Sequence, residues 1–443
     1  MPNVIVVGAG IAGLTAAYRL QQRGFEVQVL EGEATAGGRM RSERRGNYVI
    51  ERGAQFIASP YRNMRKLAAE LGIAKQIEKL GDTRNAILRR GRFELTDSDG
   101  LSAFWRSRDL SMGAKLRLLR MMPPLIRHRR ELDFYRPHKA WRLDNESAAE
   151  YVRRTFGEEV LDYLVEPAFA STFTVLPENM SKAFLLSTIS TLFRGFRLLS
   201  FRGGNGLLTQ TLASRVPVRL ETTVRRVYPG PYRVAVELEN GETLGADGVV
   251  VAVPGNAASA ICADLTPSER RFFSGVRYAS SIIGFVMAGE EALPPFYGAG
   301  ITRRERVRLY GMAVENAKSG VVPSGKTLFN CAFAEDLAAE LMDAPDEDVI
   351  AALNTELRKL PLRGLDTIEG YAVHRWPSLV PRFWPGYHRS IRDFLNRGDR
   401  SDRLFFAGDY LVGPYTEAAL TSGLRAARDC ARQLAELGSV APR

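Results

Sequence analysis

The sequence predicts an α/β fold in which a parallel-sheet domain is interrupted by insertions of mixed α+β character. Three observations point there. The chain opens on a strand, a glycine-rich turn, a helix and a second strand, from Asn3 to Glu31. Wholly apolar strand runs return far downstream, at Gly248 to Val253 and at Leu404 to Phe406. Outside them the βαβ alternation is lost, first in a helical region from about Ala103 to Phe193, then in mixed strands and helices from about Asn256 to Gly370.

The opening unit carries the chemistry. Val4 to Val7 is an unbroken β-branched run, as expected of a strand buried on both faces. Gly8, Gly10 and Gly13 follow in G-x-G-x-x-G spacing, with Ile11 and Ala12 inside the motif. Leu14 to Gln22 reads as a helix, Gly24 stops it, and Phe25 to Leu30 alternates into a second strand ending on Glu31. Gly8 permits the tight turn, Gly10 lets a pyrophosphate approach the backbone, and Gly13 lets helix and sheet pack closely. The helix N-terminus turns bare N–H groups and its dipole toward phosphate charge. A carboxylate at Glu31 can accept hydrogen bonds from ribose hydroxyls. The motif alone is weak in a chain with 40 glycines. Strand, helix, second strand and terminal acid in register make it a Rossmann-like dinucleotide site.

Composition narrows the function. With 443 residues, 45% of them hydrophobic, the chain can bury the cores of two or three domains. Met1-Pro2-Asn3 runs straight into the first strand, no stretch is long enough to span a bilayer, and the expectation is a cytoplasmic protein. Cys262, Cys331 and Cys430 are far apart without C-x-x-C, which fits a reducing compartment and excludes a thiolate zinc site. His128, His138, His374 and His388 include no close pair, so no metal is expected. The net charge of +11 is spread along the chain with no nucleic-acid motif beside it. An anionic membrane surface, an acidic substrate or a plain solvated surface all fit that charge.

Next in order, Gly32 leads to Gly37-Gly38-Arg39, a flexible turn ending in a cation suited to a pyrophosphate or a flavin edge. Gly53-Ala54-Gln55-Phe56 is a second small-residue approach point. A nicotinamide enzyme needs no such extra contacts, whereas the longer FAD must be threaded through the protein. Arg62 to Leu71 reads as a helix capped by Gly72, and Ala86 to Leu95 as a hairpin turning at Gly91. Met112 to Arg130 mixes Leu and Met with Lys115, Arg117, Arg120, Arg127, Arg129 and Arg130, broken by Pro123-Pro124. Such a pair can lie on an anionic membrane. More often such a pattern packs its apolar side on its own domain and leaves the arginines in water.

Gly203-Gly204-Asn205-Gly206 leads into a helix from Leu207 to Arg215, and Val218 to Val227 reads as a strand. Val234, Val236 and Leu238 alternate ahead of Asn240-Gly241, a type I′ hairpin signal. Gly320 to Thr327 satisfies the P-loop pattern, but a polar stretch precedes it and a strand-like run follows, so it reads as a surface turn. Leu404 to Phe406 ends at Ala407-Gly408-Asp409, and a long helix starts near Thr416. No G-x-S-x-G, H-E-x-x-H or paired-carboxylate motif occurs, which leaves a flavin as the evident chemical engine.

Seven motifs from end to end resemble the flavin amine oxidase superfamily, and within it most the protoporphyrinogen oxidases: GAGIAGL, GGRMRS, RGAQFI with LAAELGI, FRGGNGLLTQTLA, VVVAVP, RWPSLVPRFWPGY and LFFAGDYLVGPYTEAALTSG. The resemblance implies an FAD-binding domain in three segments, 1–80, 201–255 and 371–443, with a substrate domain in the insertions 81–200 and 256–370. It places the Val224 backbone at the adenine and Asp409 at the ribityl chain. Pro414, Tyr415 and Thr416 would pass the flavin ring, with Trp376 nearby and Gln55 a further ring-lining candidate. The implied chemistry is hydride transfer from a hydrophobic substrate to the flavin, with oxygen or a quinone as acceptor and no catalytic side chain assigned.

Two departures bear on the substrate. Ser171-Thr172-Phe173 stands where the protoporphyrinogen oxidases usually carry a glycine and a small aromatic turn. Many amine oxidases of the superfamily carry a lysine near the flavin on a strand matching Ala279 to Met287, where this chain has Gly284 and no lysine between Lys182 and Lys318. Trp376 to Gly386 also lacks the cysteine that precedes the aromatic-Pro-Gly segment where flavin is covalently held, so non-covalent FAD is expected. The competing readings are a desaturase or amine oxidase of a secondary metabolite or polyene, and a non-catalytic prenyl-binding, chaperone-like protein.

Overall fold

In a computed structural model the described residues are 1–81, 83–96 and 110–440. The first part of the expected helical region from about Ala103 to Phe193, up to Asp109, therefore lies outside the described residues. The α/β class is observed, with a parallel sheet and a second, mixed sheet.

The parallel sheet has five strands in the order Val218–Arg219, Glu26–Leu30, Asn3–Val7, Gly248–Val251 and Leu404–Phe406. Three distant stretches of sequence meet because each apolar run needs both faces covered. Val4, Val6, Val29 and Val250 pack on one side with the helices Ile11–Gln21 and Thr416–Val440. The two helices touch closely: a Cβ on Gly423 would sit 2.2 Å from the Ala12 carbonyl oxygen. Ile5, Val7, Val249 and Val251 face the opposite core.

The expected strand from Val218 to Val227 is in fact two. The backbone N–H groups of Glu221 and Thr222 bond to the carbonyls of Glu33 and Glu31, and Glu221 turns at φ +50°. Val224–Pro229 then joins a separate three-stranded sheet.

The second sheet has seven strands: Ile368–Pro381, Tyr278–Gly289, Lys326–Phe333, Leu309–Val314, Gly298–Ile301, Asn85–Arg89 and Arg92–Thr96. The hairpin read at Gly91 is the last pair, with Arg90 and Gly91 both at positive φ. One face is covered by the helices Glu335–Leu341 and Asp346–Leu357. The helix Glu166–Phe173 lies on the other, close enough that a Cβ on Gly311 would stand 2.6 Å from that of Ser171. The P-loop-like string ends in the strand Lys326–Phe333, with Lys326 paired to Glu369, which supports the reading as a turn.

The Met112 to Arg130 segment forms helices Met112–Leu118 and Met122–Arg127, with Pro123 and Pro124 starting the second rather than breaking the first. Its packing differs from both simple expectations. Ala114, Met121 and Leu125 are buried, and so is Lys115, while Met112, Leu116, Leu119, Met122 and Ile126 are exposed. Among the described residues, no helix is long and apolar enough to cross a membrane.

Candidate functional site

A cavity of about 1520 Å³ runs along the carboxyl edge of the parallel sheet, where ligands of open α/β sheets bind. The ends of its strands and the turns after them line it: Val7 and Gly8, Leu30 and Glu31, Ala252 and Val253, and Gly408. Of the residues expected at the cofactor, Gly10, Ile11, Ala12, Gly32, Gly38, Arg39, Gly53, Ala54, Gln55, Phe56, Val224, Trp376, Asp409, Pro414, Tyr415 and Thr416 line it too. Gly13 does not. It sits one turn into the helix, where a Cβ would lie 2.0 Å from the Gly8 carbonyl oxygen, so its role is the close packing read from the motif.

Backbone geometry explains the glycines that matter. Gly8 leaves the strand at φ +100°, and its N–H donates to the Leu30 carbonyl at 2.8 Å. A Cβ on Gly10 would meet nothing within 4 Å; the space beyond it is the cavity itself. Glu31 is held by the N–H groups of Ala9 at 2.6 Å and Glu33 at 3.0 Å. Thr222, Thr223 and Pro254 also line the cavity and escaped sequence reading, although VVVAVP had marked one of the strand ends.

Farther along, Arg39 forms an ion pair with Asp409 at 2.7 Å and also donates to the Leu379 carbonyl at 2.6 Å. Burial disfavours the guanidinium charge, but the carboxylate beside it wins and holds the arginine above its ordinary pKa. The Tyr278 hydroxyl donates to Asp409 at 3.3 Å and the Tyr410 N–H at 3.0 Å. Asp409 is thus tied to two other elements and to its own turn at the wall.

The ring-lining candidates converge. Trp376 donates its indole N–H to the Arg52 carbonyl at 2.7 Å. Tyr415 donates its hydroxyl to the Phe134 carbonyl at 2.6 Å and stacks on that ring with centroids 4.3 Å apart. Gln55 donates to the Glu51 and Gly53 carbonyls, both at 3.1 Å. Its Oε1 is buried without a hydrogen-bond partner, while the Thr416 hydroxyl at the start of the long helix meets the Tyr61 hydroxyl. A buried orphan group of this kind wants a ligand. With the open cradle at Gly10, it fits an elongated dinucleotide lying along this edge. Beneath Gln55, burial lifts the Glu51 carboxyl to about 7, against the pull of Lys318.

Beyond this wall the same cavity becomes a chamber. One side is the helix Glu166–Phe173, contributing Pro167, Ala168, Ser171, Thr172 and Phe173, so the Ser171-Thr172-Phe173 departure does face it. Another is a floor of small residues on the mixed sheet: Gly298, Gly300, Gly311, Ala313 and Ala332. Asn330, 4% exposed, lies in register with Ala313 on this floor, and its amide nitrogen has no partner.

One expectation is corrected. Gly284 does not face the chamber: a Cβ there would meet Leu353 at 2.7 Å, on the helix covering the far face of the sheet. Ile283 and Phe285 point the other way and pack with Tyr48, Ile50 and Leu379. No residue of this strand is among those lining the cavity.

The chain is similar to known oxidoreductases throughout its length. It is 22% identical over 442 residues to a coproporphyrinogen III oxidase of Bacillus subtilis, covering 88% of this chain and 89% of that one. A mitochondrial protoporphyrinogen oxidase of Nicotiana tabacum is 32% identical over 180 residues, 40% of this chain and 34% of that one. Among solved structures, cyclohexylamine oxidase from Brevibacterium oxydans superposes with a TM-score of 0.78 at 18% identity, covering 98% and 99% of the two chains. The family model of the flavin containing amine oxidoreductases matches residues 11–431, and the chain belongs to this family of flavin-dependent oxidoreductases.

Proposed function

We propose that this protein is an FAD-dependent oxidase that takes hydride from a porphyrinogen, a reduced cyclic tetrapyrrole. The observation that carries the reading is one continuous cavity joining the dinucleotide cradle to a chamber with a broad, small-residue floor. Likeness to a coproporphyrinogen III oxidase over most of the chain supports the substrate class. FAD bound here would accept hydride from a substrate C–H and hand the electrons to oxygen or a quinone. The chain's part is to bind and orient. The Gly10 turn and the helix after it hold the pyrophosphate, Glu31 the ribose, and the Val224 backbone the adenine. Asp409 holds the ribityl chain, while Trp376, Tyr415 and Gln55 border the ring. The small-residue floor seats the substrate and keeps water out. Anaerobic mixing with coproporphyrinogen III should bleach the flavin; bleaching by polyenes or amines alone would favour the second reading, a desaturase or amine oxidase.

The FAD is held without a covalent bond. Cys262, Cys331 and Cys430 are buried in the cores, and no cysteine is among the cavity-lining residues. Acid denaturation should release all the flavin into the supernatant. Yellow colour remaining in the precipitate would overturn this.

A peripheral contact with anionic membrane belongs to the same proposal. The exposed ridge Met112, Leu116, Leu119, Met122 and Ile126 is accompanied by exposed Arg120, Arg127, Arg129 and Arg130. Apolar side chains would enter the lipid boundary while the arginines meet headgroup phosphates. The protein should sediment with phosphatidylglycerol vesicles at low salt and be released as salt screens the attraction. Failure to sediment at any salt concentration would leave the ridge without this role.

A further inference from the structure

Charge is unevenly placed along the cavity. Among the described lining residues the acidic ones are Glu31 and Asp409, and both belong to the dinucleotide end of the cavity. Backbone N–H groups hold the first and Arg39 neutralises the second. The lining contains two further cations, Lys79 and Arg197. Both are exposed to solvent as well as lining the cavity, which puts them at its mouth.

Pairing of distant strands brings them together. Ile77–Lys79 runs antiparallel to Leu198–Phe201, with Lys79 opposite Leu199. Arg197, two residues before Leu199, is on the same face as Lys79 and diagonal to it across the ribbon. The Arg197 backbone is tied to Ser59: its N–H donates to the Ser59 hydroxyl, and its carbonyl accepts from the Ser59 N–H. Neither cationic side chain has a hydrogen bond or ion pair with another described residue. The contrast with Arg303, Arg308, Arg202 and Arg219 is plain, since each of those reaches a carboxylate within 2.7 Å. Leu192 and Phe196 supply apolar lining in the same part of the cavity, as does Leu198 from the opposite face of the ribbon.

We infer that Lys79 and Arg197 form a carboxylate-binding rim that makes the chamber selective for an anionic amphiphile. The carboxylate would rest between the ammonium and the guanidinium, with the apolar body inside over the small-residue floor. The arginine fork suits a planar carboxylate, and the flexible lysine adds a second charge-assisted bond. A cationic substrate entering by this mouth meets two like charges with no carboxylate beside them among the described lining residues. The inference rests on the proposed function in taking this chamber to be the substrate's; the two residues determine specificity and have no part in the chemistry.

The test uses the FAD-loaded protein and two readouts. Binding of coproporphyrin III and of its tetramethyl ester is followed by fluorescence in wild type, Lys79→Gln, Arg197→Gln, the double variant and Arg197→Lys. Flavin reduction by coproporphyrinogen III is measured on the same set. Wild type should bind the acid at least about 30-fold tighter than the ester, and the double variant should lose that preference. KM for the porphyrinogen should rise by a similar factor with kcat within about twofold, and Arg197→Lys should recover part of the loss. Unchanged flavin content and circular dichroism establish that the variants are folded. Acid and ester binding wild type equally, or no binding of either, would overturn the rim. An unchanged KM in the double variant would overturn it too, leaving the proposed reaction intact. Tight, variant-sensitive binding of coproporphyrin without any flavin reduction by the porphyrinogen would support the rim and refute the reaction.

Discussion

Gly10→Val should yield a folded protein that has lost nearly all of its FAD. No atom lies within 4 Å of a Cβ built at Gly10, so the isopropyl group collides with no part of the protein around that point. It projects instead into the cradle where backbone must touch pyrophosphate. We expect binding to weaken about 100-fold, roughly 2.7 kcal/mol. Gly13→Val provides the contrast. Its Cβ would lie 2.0 Å from the Gly8 carbonyl oxygen, so this variant should fail to fold at all. Flavin absorbance and far-ultraviolet dichroism on both variants separate the two effects. A folded Gly10→Val protein with normal flavin content would show that the phosphate has been misplaced.

Flavin reduction by a porphyrinogen should exceed that by a primary amine or polyamine by about 100-fold or more, equivalent to a barrier difference of roughly 2.7 kcal/mol. The argument no longer depends on Gly284, which faces the covering helix. It depends on the described lining of the cavity, where the lysine is Lys79 at the mouth and the carboxylates are Glu31 and Asp409, away from the chamber floor. An ammonium group entering the chamber would lose its hydration and find no carboxylate at the floor to replace it. Anaerobic stopped-flow with coproporphyrinogen III, cyclohexylamine and putrescine decides the matter. Rapid bleaching by an amine, with none by the porphyrinogen, would promote the amine oxidase reading.

The register of the strand Tyr278–Gly289 shows where sequence reading reaches its limit. Ten of its twelve residues, from Ala279 to Ala288, include only two that are not buried. A strand covered on both faces has no polar alternation, so a one-residue slip leaves its pattern equally apolar. The ridge from Met112 to Ile126 failed for a related reason. Apolar residues occupy both sides of these short helices, and the neighbouring helix Ala148–Phe156 decides which side is buried. The split of Val218 to Val227 depended on bonds from Glu221 and Thr222 to carbonyls nearly 190 residues earlier.

The glycine-rich end of the cavity, by contrast, has a lining that was legible almost residue by residue. Gly8, Gly10, Gly13 and Glu31 are placed by local geometry: a turn, a helix terminus and a strand end, all within one βαβ unit. Such geometry follows from short-range sterics and hydrogen bonding, which the sequence by itself determines. The chamber was decided only by tertiary structure. Its floor joins Gly298, Gly311, Asn330 and Ala332 from three strands, and its mouth joins Lys79 to Arg197. None of these has a local signature, because a small residue or a lone cation acquires meaning only from what packing places opposite it.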